Sequence, residues 1–178
     1  EKHLMRIGTA VGKYWICKRT PGHAYEAIEC IGGSGVMEDC IMPRLFRESP
    51  INTIWEGSGN VQCLDMLRAL QKTPASLDAF LNEMHLCESK HPLISDTLDS
   101  LHADISDKEN LEFRSRSIVE KMALLFQASS LLQYGNPLVA DAFCSARLKN
   151  ENKGWVYGTL PVNIDCNALI QRARITNG

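Results

Sequence analysis

Apolar side chains recur at helical spacing along most of the chain, and this pattern predicts an all-α fold. Near the start, Leu4, Ile7 and Val11 fall on one helical face, as expected for a helix that packs on a core. The same spacing predicts helices over 24–31, 59–70, 75–88, 92–103, 108–134 and 137–148. Only the short run 155–157 has the composition of a strand, and it is too short to predict a sheet. We therefore expect an antiparallel helical bundle followed by a second helical segment.

Proline and glycine predict where the first helices begin and end. Thr20 followed by Pro21 is the pattern of an N-cap and a first helical turn, so we expect a helix boundary there. The second helix is expected to end at Gly32 and Gly33, because glycine commonly follows a helix C-terminus. In the longest predicted helix, four apolar residues form a stripe that should face a core: Ile118, Met122, Leu125 and Leu132.

Charge is distributed unevenly, and this predicts two domains. Residues 1–74 carry nine basic and eight acidic side chains. Residues 75–112 carry two basic and nine acidic side chains, and residues 113–178 carry eight basic and four acidic ones. Thr73 is disfavoured in a helix by the proline that follows it. We therefore expect a bundle domain over 1–74 and a helical extension over 75–178. The net charge of −2 excludes a strongly basic nucleic-acid-binding domain.

The cysteine pattern indicates reduced thiols. Seven cysteines are an odd number, and no C-x2-C pair is present, which argues against disulfides and a structural metal site. We expect no metal and an intracellular, reducing compartment, most simply the cytoplasm. No apolar run reaches the roughly 18 residues that a membrane span needs. Because the chain opens inside an amphipathic helical pattern, we expect a fragment of a longer protein that is inactive by itself.

Two glycine-rich segments between the early helices are candidates for binding an anion. Gly32, Gly33 and Gly35 lie in a turn whose backbone N–H groups could approach a phosphate closely, although an ordinary helix C-cap and turn explains the same residues. Ser58 and Asn60 open a predicted helix, whose N-terminus favours anions. A dinucleotide-binding fingerprint is excluded, because the first turn follows a helix rather than a strand.

Glu56 is the candidate for acid–base chemistry. It lies between Trp55 and a Gly-Ser-Gly run, where we expect an apolar wall and a partly desolvated carboxylate that could abstract a proton. The alternative is a glutamate at a helix start, satisfied by the N–H groups near Ser58. The residues alone leave both interpretations open.

Three motifs in register resemble the C-terminal helical domain of the acyl-CoA dehydrogenases. Residues 27–35 read AIECIGGSG, residues 43–47 read PRLFR and residues 54–58 read IWEGS. The family carries a glycine turn, an arginine segment and a glutamate loop at these separations. The continuation WEGSGN and then CLDMLR is similar to the AidB-like branch of the family. The resemblance covers nearly the whole chain.

The resemblance implies a homotetrameric, FAD-dependent oxidoreductase of fatty acid metabolism that acts on acyl-CoA. It implies that Glu56 removes the α-proton of the thioester while the β-hydrogen leaves as hydride to the flavin. It assigns the glycine turn to the FAD of a neighbouring subunit, Ser58 and Asn60 to the flavin nucleotide, and Trp55 to the wall beside flavin and substrate. The complete set of cofactor residues is Glu29, Gly32, Gly33, Gly35, Trp55, Ser58 and Asn60. Glu29 departs from the family, which mostly has glutamine there, and a carboxylate repels a pyrophosphate.

The AidB-like branch is associated with DNA binding, which gives a second hypothesis. The protein would keep the flavoenzyme scaffold but bind DNA or a fatty acyl ligand with little turnover. The candidate phosphate contacts are all basic: Arg68, Arg147, Lys149, Arg172 and Arg174. The acidic stretch 75–112 argues against this role, and a solvated basic surface is the alternative interpretation of the same residues.

Overall fold

The structure, a computed structural model, describes residues 1–149 and 157–175, and this part of the chain is helical without a strand. It contains eight α-helices in chain order: α1 (Lys2–Ile31), α2 (Met42–Glu48), α3 (Gly59–Lys72), α4 (Ala75–Glu88), α5 (Pro92–Ser106), α6 (Ser115–Tyr134), α7 (Pro137–Arg147) and α8 (Cys166–Ala173). Two 3₁₀ helices, Gly32–Val36 and Ser49–Thr53, follow α1 and α2. The predicted all-α fold is confirmed. Residues 155 and 156 of the strand-like run lie outside the described residues.

Helix α1 runs without a break through Pro21, so the helix boundary predicted there is wrong. Thr20 does not cap a new helix, because its Oγ1 donates to the carbonyl of Ile16 one turn earlier, at 2.7 Å. Pro21 has no N–H and therefore omits one backbone hydrogen bond of the helix. Packing on both sides of the proline offsets this loss, since Val11 and Ala24 are both buried. Tertiary contacts rather than local propensity keep the helix continuous.

The other helix ends lie closer to their predicted positions, with one exception. Helix α1 ends at Ile31 with Gly32 at its C-cap, as predicted. Helix α6 begins at Ser115 instead of residue 108. The carboxylate of Asp107 accepts from the backbone N–H and the side-chain amide of Asn110, at 3.4 and 3.0 Å, and such a bond is typical of a turn. The predicted stripe of α6 is buried at three positions and half-buried at the fourth: Ile118, Met122, Leu125 and Leu132.

The chain forms two compact units, each with its own core. Unit 1 comprises 1–81 and 103–123, and unit 2 comprises 82–102 and the residues from 124 onward. The core of unit 1 is built from large apolar side chains of α1, α3, α4 and α6: Ile7, Val11, Met66, Phe80, Ile118, Val119 and Met122. That of unit 2 comes from α4, α5 and α6: Met84, Ile94, Leu98, Leu101 and Leu125. The domain boundary predicted after residue 74 stays a prediction.

Two cysteines of unit 2 lie in contrasting surroundings. All seven cysteines are free thiols. Cys144 in α7 is fully buried, and burial raises the pKa of its thiol to about 11. Cys166, the first residue of α8, is exposed. Over the described residues, we find no group of three metal-ligating side chains and no helix long and apolar enough to cross a membrane.

We expect a thiol reagent at pH 8 to label Cys166 and to leave Cys144 unmodified while the protein is folded. The thiolate is the reacting species, and both burial and the raised pKa of Cys144 keep its thiolate scarce. Peptide mass spectrometry after brief exposure to iodoacetamide measures the two rates. Cys166→Ser is the control that removes the fast label, and equal rates at the two thiols would contradict the prediction.

Candidate functional site

Glu56 lies in a short loop with an unusual backbone, residues 52–58, which we call the glutamate loop. It comprises the last two residues of the 3₁₀ helix Ser49–Thr53 and the residues that lead from there to α3. Glu56 has φ 54°, the only positive φ of a non-glycine residue in the described part of the chain, and Gly57 follows with φ 100°. A side chain is disfavoured in this left-handed region. Consecutive residues with positive φ therefore need surrounding contacts to hold them there.

Two side chains supply those contacts by donating to the carbonyls of the glutamate loop. The ammonium of Lys13, on α1, donates to the carbonyl oxygens of Asn52 at 2.6 Å, Trp55 at 3.0 Å and Gly57 at 3.5 Å. The amide of Gln62, on α3, donates to the carbonyl oxygens of Glu56 at 2.9 Å and Gly57 at 3.4 Å. Four carbonyls of the loop are thus held from two helices.

Gly57 is required by space as well as by conformation. A Cβ at this position would lie 2.5 Å from Nε2 of Gln62 and 3.2 Å from Cγ1 of Val61. Any side chain would therefore displace the amide that holds the loop. The glycine of the Trp-Glu-Gly sequence thus serves the geometry of Glu56, its neighbour.

The carboxylate of Glu56 is exposed and makes no hydrogen bond or ion pair within residues 1–149 and 157–175. The partial desolvation expected from the sequence is therefore wrong for this chain, because the neighbouring Trp55 is itself 60% exposed and does not cover the carboxylate. The alternative of a glutamate bonded to N–H groups near Ser58 is not observed either. The side chain is free to meet another molecule.

The N-terminus of α3 lies beside this loop and carries positive charge. Ser58 is its N-cap residue but makes no side-chain capping bond, so the first N–H groups of the helix have no cap from it. Oδ1 of Asn60 accepts from Nε of Arg116, on α6, at 2.8 Å. A Cβ on Gly59 would lie 3.7 Å from Nζ of Lys18, so a second cation lies close to the helix end. An anion suits these surroundings.

The glycine turn has the geometry of a helix end. Gly32 has φ 76° and donates its N–H to carbonyls of the last turn of α1. Gly33 is exposed with open space beyond it, whereas Gly35 is buried against the backbone of Ile28. The helix C-cap interpretation describes these contacts, and the open space beside Gly33 leaves room for a ligand as well. Glu29 is exposed on the last turn of α1.

The glycine turn and the glutamate loop lie at different positions along α1. Nineteen residues separate Lys13, which holds the loop, from Gly32, and this corresponds to about 28 Å along a helix axis. The two segments therefore lie far apart along α1, and the expectation that they serve different FAD molecules stays a prediction.

Comparison with known proteins places this site in a family. The family model for the acyl-CoA dehydrogenase C-terminal domain matches residues 1–71, a range that contains α1, the glycine turn, the glutamate loop and all but the last residue of α3. Residues 1–71 form an acyl-CoA dehydrogenase C-terminal domain. The family predicted from the three motifs is confirmed.

Two relatives extend the comparison beyond the acyl-CoA dehydrogenase domain. AidB of Escherichia coli (strain K12), whose name places it among the acyl-CoA dehydrogenases, is 34% identical over 143 residues, 80% of this chain and 26% of AidB. Acyl-CoA dehydrogenase family member 11 of Caenorhabditis elegans is 40% identical over 80 residues, 45% of this chain and 13% of that protein. The predicted resemblance to the AidB-like branch is confirmed. The chain spans only a small part of the length of either relative.

The acyl-CoA dehydrogenase domain holds one of the five candidate DNA contacts, Arg68. Its guanidinium lies 3.4 Å from Asp65, and the same carboxylate accepts two bonds from Arg6, at 2.8 and 2.9 Å. Arg68 therefore already has an anionic partner. The other four belong to unit 2: Arg147, Lys149, Arg172 and Arg174. Arg147 lies 5.9 Å from the ring centroid of Tyr157, and the last three are exposed.

Sequence reasoning did not identify three residues of this site: Lys13, Gln62 and Arg116. Gln62 follows Ser58 by one helical turn, so its reach to the preceding loop could have been inferred. Lys13 and Arg116 lie 42 and 56 positions from the residues they contact, Trp55 and Asn60. No local signal identifies such partners.

We expect Gly35→Ala to destabilise the protein by about 1–3 kcal/mol, as overpacking commonly does. Its Cβ would lie 2.9 Å from the carbonyl oxygen of Ile28 and 3.2 Å from the Cα of the same residue, and backbone atoms cannot move aside cheaply. Gly33→Ala is the matched control, since no atom lies within 4 Å of its Cβ. Urea unfolding of the two variants measures the difference, and equal midpoints would contradict the packing argument.

Proposed function

We propose that this chain supplies the catalytic base of an FAD-dependent acyl-CoA dehydrogenase, and that Glu56 is this base. The observation that carries the proposal is the contrast between the two parts of Glu56. Its backbone is held by Gln62 and, through the flanking carbonyls, by Lys13, while its carboxylate has no partner among the described residues. A base needs such a free carboxylate in a fixed position. A purely structural glutamate would instead use its carboxylate in capping or pairing.

The proposed reaction assigns a distinct task to each residue of the loop. Glu56 accepts the α-proton of an acyl-CoA thioester at a carboxylate oxygen. Trp55 offers an apolar face beside it, and Gly57 permits the left-handed turn that follows the base. FAD, when bound, supplies the acceptor for the hydride that leaves the β-carbon.

The first turn of α3 fits the phosphates of a flavin nucleotide. Ser58 leaves the first N–H groups of the helix without a side-chain cap, and the bond from Arg116 to Asn60 brings a guanidinium to the same helix end. N–H groups and cations are the donors that phosphate prefers. We propose that Ser58 and Asn60 hold the flavin nucleotide.

The glycine turn fits a second contact, with the FAD of a neighbouring subunit in a homotetramer. Gly33 is exposed, and nothing within 4 Å of its Cβ position blocks an approach to its backbone. Gly35 fixes the turn by its close packing on Ile28, and Gly32 supplies the positive φ at which the turn begins. Glu29 fits less well, because its exposed carboxylate would repel a pyrophosphate unless it is protonated or bridged by a cation.

Trp55 and Glu56 are both exposed in this chain. A proton-abstracting carboxylate works best where water is excluded, and this chain alone does not exclude it. Since the chain spans 26% of AidB, we propose that the cover comes from parts of the protein outside this chain, together with the flavin and the acyl-CoA.

In the complete flavoprotein, we expect Glu56→Gln to keep FAD bound and to slow flavin reduction by acyl-CoA about 10²- to 10⁴-fold, the usual cost of losing a general base. Glutamine keeps the size of the side chain but does not accept the proton. Anaerobic stopped-flow bleaching of the flavin measures the rate. Glu48→Gln is the matched control, because Glu48 is exposed and pairs with Arg44 at the surface. A Glu56→Gln rate equal to that of the wild type would make Glu56 structural.

The second candidate is an AidB-like protein that binds DNA or a fatty acyl ligand with little turnover. This candidate rests on the resemblance to the AidB-like branch, and the similarity to AidB, at 143 residues, continues well beyond the 71 residues of the family domain. The charge distribution does not favour DNA binding, because Arg68, one of the five candidate contacts, is paired with Asp65. The other four candidate contacts all belong to unit 2.

For this candidate we expect DNA binding that is indifferent to sequence and steeply salt-dependent. Four phosphate contacts correspond to a slope of log K against log salt of about −3 to −4. Titration of the complete protein with duplex DNA at several salt concentrations measures the slope, and Lys149→Ala should lower its magnitude by about one. Arg44→Ala, at a residue paired with Glu48, is the control. No binding at low salt would leave only the acyl ligand.

A further inference from the structure

We infer that Lys13 is a positioning residue for Glu56: its ammonium fixes the glutamate loop against α1 and so sets where the carboxylate stands. The inference rests on the proposed function in one respect, since it takes Glu56 to be the base. The geometry is independent of that assignment. Nζ of Lys13 lies within hydrogen-bond distance of the carbonyl oxygens of Asn52, Trp55 and Gly57, so it contacts the loop on both sides of Glu56.

A lysine is well suited to this task. Its ammonium carries three donors and no acceptor, which matches three carbonyls that converge from one loop. Bonds from a charged donor are stronger than neutral ones, and no acidic side chain lies within ion-pair distance of Lys13 among the described residues. The charge of Lys13 is therefore directed to the loop rather than to a carboxylate.

The helix that carries Lys13 gives the loop a rigid reference. Val11 and Tyr14, on either side of it in α1, are buried in the core of unit 1, so the backbone at Lys13 is fixed by packing. Gln62 holds the loop from the other side, through the carbonyls of Glu56 and Gly57. Gln62 alone leaves the carbonyls of Asn52 and Trp55 without a side-chain donor, and these precede the base.

The positive φ of Glu56 explains why the loop needs a clamp. A non-glycine residue in the left-handed region relaxes to more favourable conformations unless its neighbours are held. Once the carbonyls before and after Glu56 are released, the loop samples several conformations. The carboxylate then spends only part of its time in the position for proton abstraction, so the loss affects the chemical step more than the binding of acyl-CoA.

The test compares Lys13→Met with wild type in the complete FAD-loaded protein, by two measurements. Hydrogen–deuterium exchange follows the N–H groups of Ile54 and Trp55, which donate to the carbonyl of Ile51 and report on the loop itself. We expect their exchange to become at least about tenfold faster. Stopped-flow flavin reduction should show a maximal rate lowered about 10- to 100-fold, with the half-saturating acyl-CoA concentration little changed.

Two further variants complete the design. Lys13→Arg keeps a cation with several donors and should recover part of the lost rate. If Lys13 served packing alone, Lys13→Arg and Lys13→Met would have the same rate. Lys72→Met, an exposed lysine in the last turn of α3, is the control and should behave as wild type. If Lys13→Met does not fold, Lys13→Gln takes its place with the same two measurements.

Unchanged exchange at Ile54 and Trp55 in Lys13→Met overturns the positioning role, whatever the kinetics. Faster exchange with an unchanged maximal rate also overturns it, because the loop would then move without affecting the chemistry. Glu56→Gln distinguishes this failure from that of the proposed function. If Glu56→Gln reduces flavin at the wild-type rate, Glu56 is not the base and Lys13 has no base to position. If Glu56→Gln is slow but Lys13→Met has the wild-type rate, only the positioning role of Lys13 is refuted.

Discussion

Helix α1 is the constraint on which the candidate site depends. Its 30 residues carry the lysine that holds the glutamate loop, and Gly32, which begins the glycine turn, is its C-cap. The spacing between the two segments is fixed only while the helix is continuous through Pro21. The burial of Ala24, beyond the proline, therefore does more than add a core contact, because it helps to keep α1 continuous. It thereby sets the distance between the glutamate loop and the glycine turn, the two segments that we propose as FAD contacts.

Magnitudes explain how a strained glutamate is tolerated. A non-glycine residue in the left-handed region costs about 1–3 kcal/mol, and a hydrogen bond to a charged group contributes about 1.5–3 kcal/mol where it is shielded from water. Lys13 is only partly shielded, so each of its bonds contributes less than that. Several such bonds together with those of Gln62 are of the same order as the strain. The loop is therefore held, but without a large margin.

The predictions about helix ends that the structure confirms are those with a local cause in the sequence. Gly32 ends α1 because glycine accommodates its positive φ, and Gly59 begins α3 where the apolar pattern starts; both were predicted. The break at Thr20 and Pro21 was wrong, because burial on both sides of the proline outweighs its local preference. The predicted desolvation of Glu56 was wrong, because a desolvated carboxylate needs neighbouring groups that this chain does not provide. Lys13 was missed because its partners lie about forty positions away.

Arg116 shows how far the site extends beyond the family domain. The family match ends at residue 71, yet unit 1 also takes in residues 103–123, where Ile118 and Met122 are fully buried. That segment is part of the unit that carries the site, and it brings a guanidinium to Asn60. A match of 143 residues to AidB necessarily includes many residues beyond 71. One of the two cations at the start of α3, Arg116, is thus supplied from outside the family domain, and the family motifs alone do not reveal it.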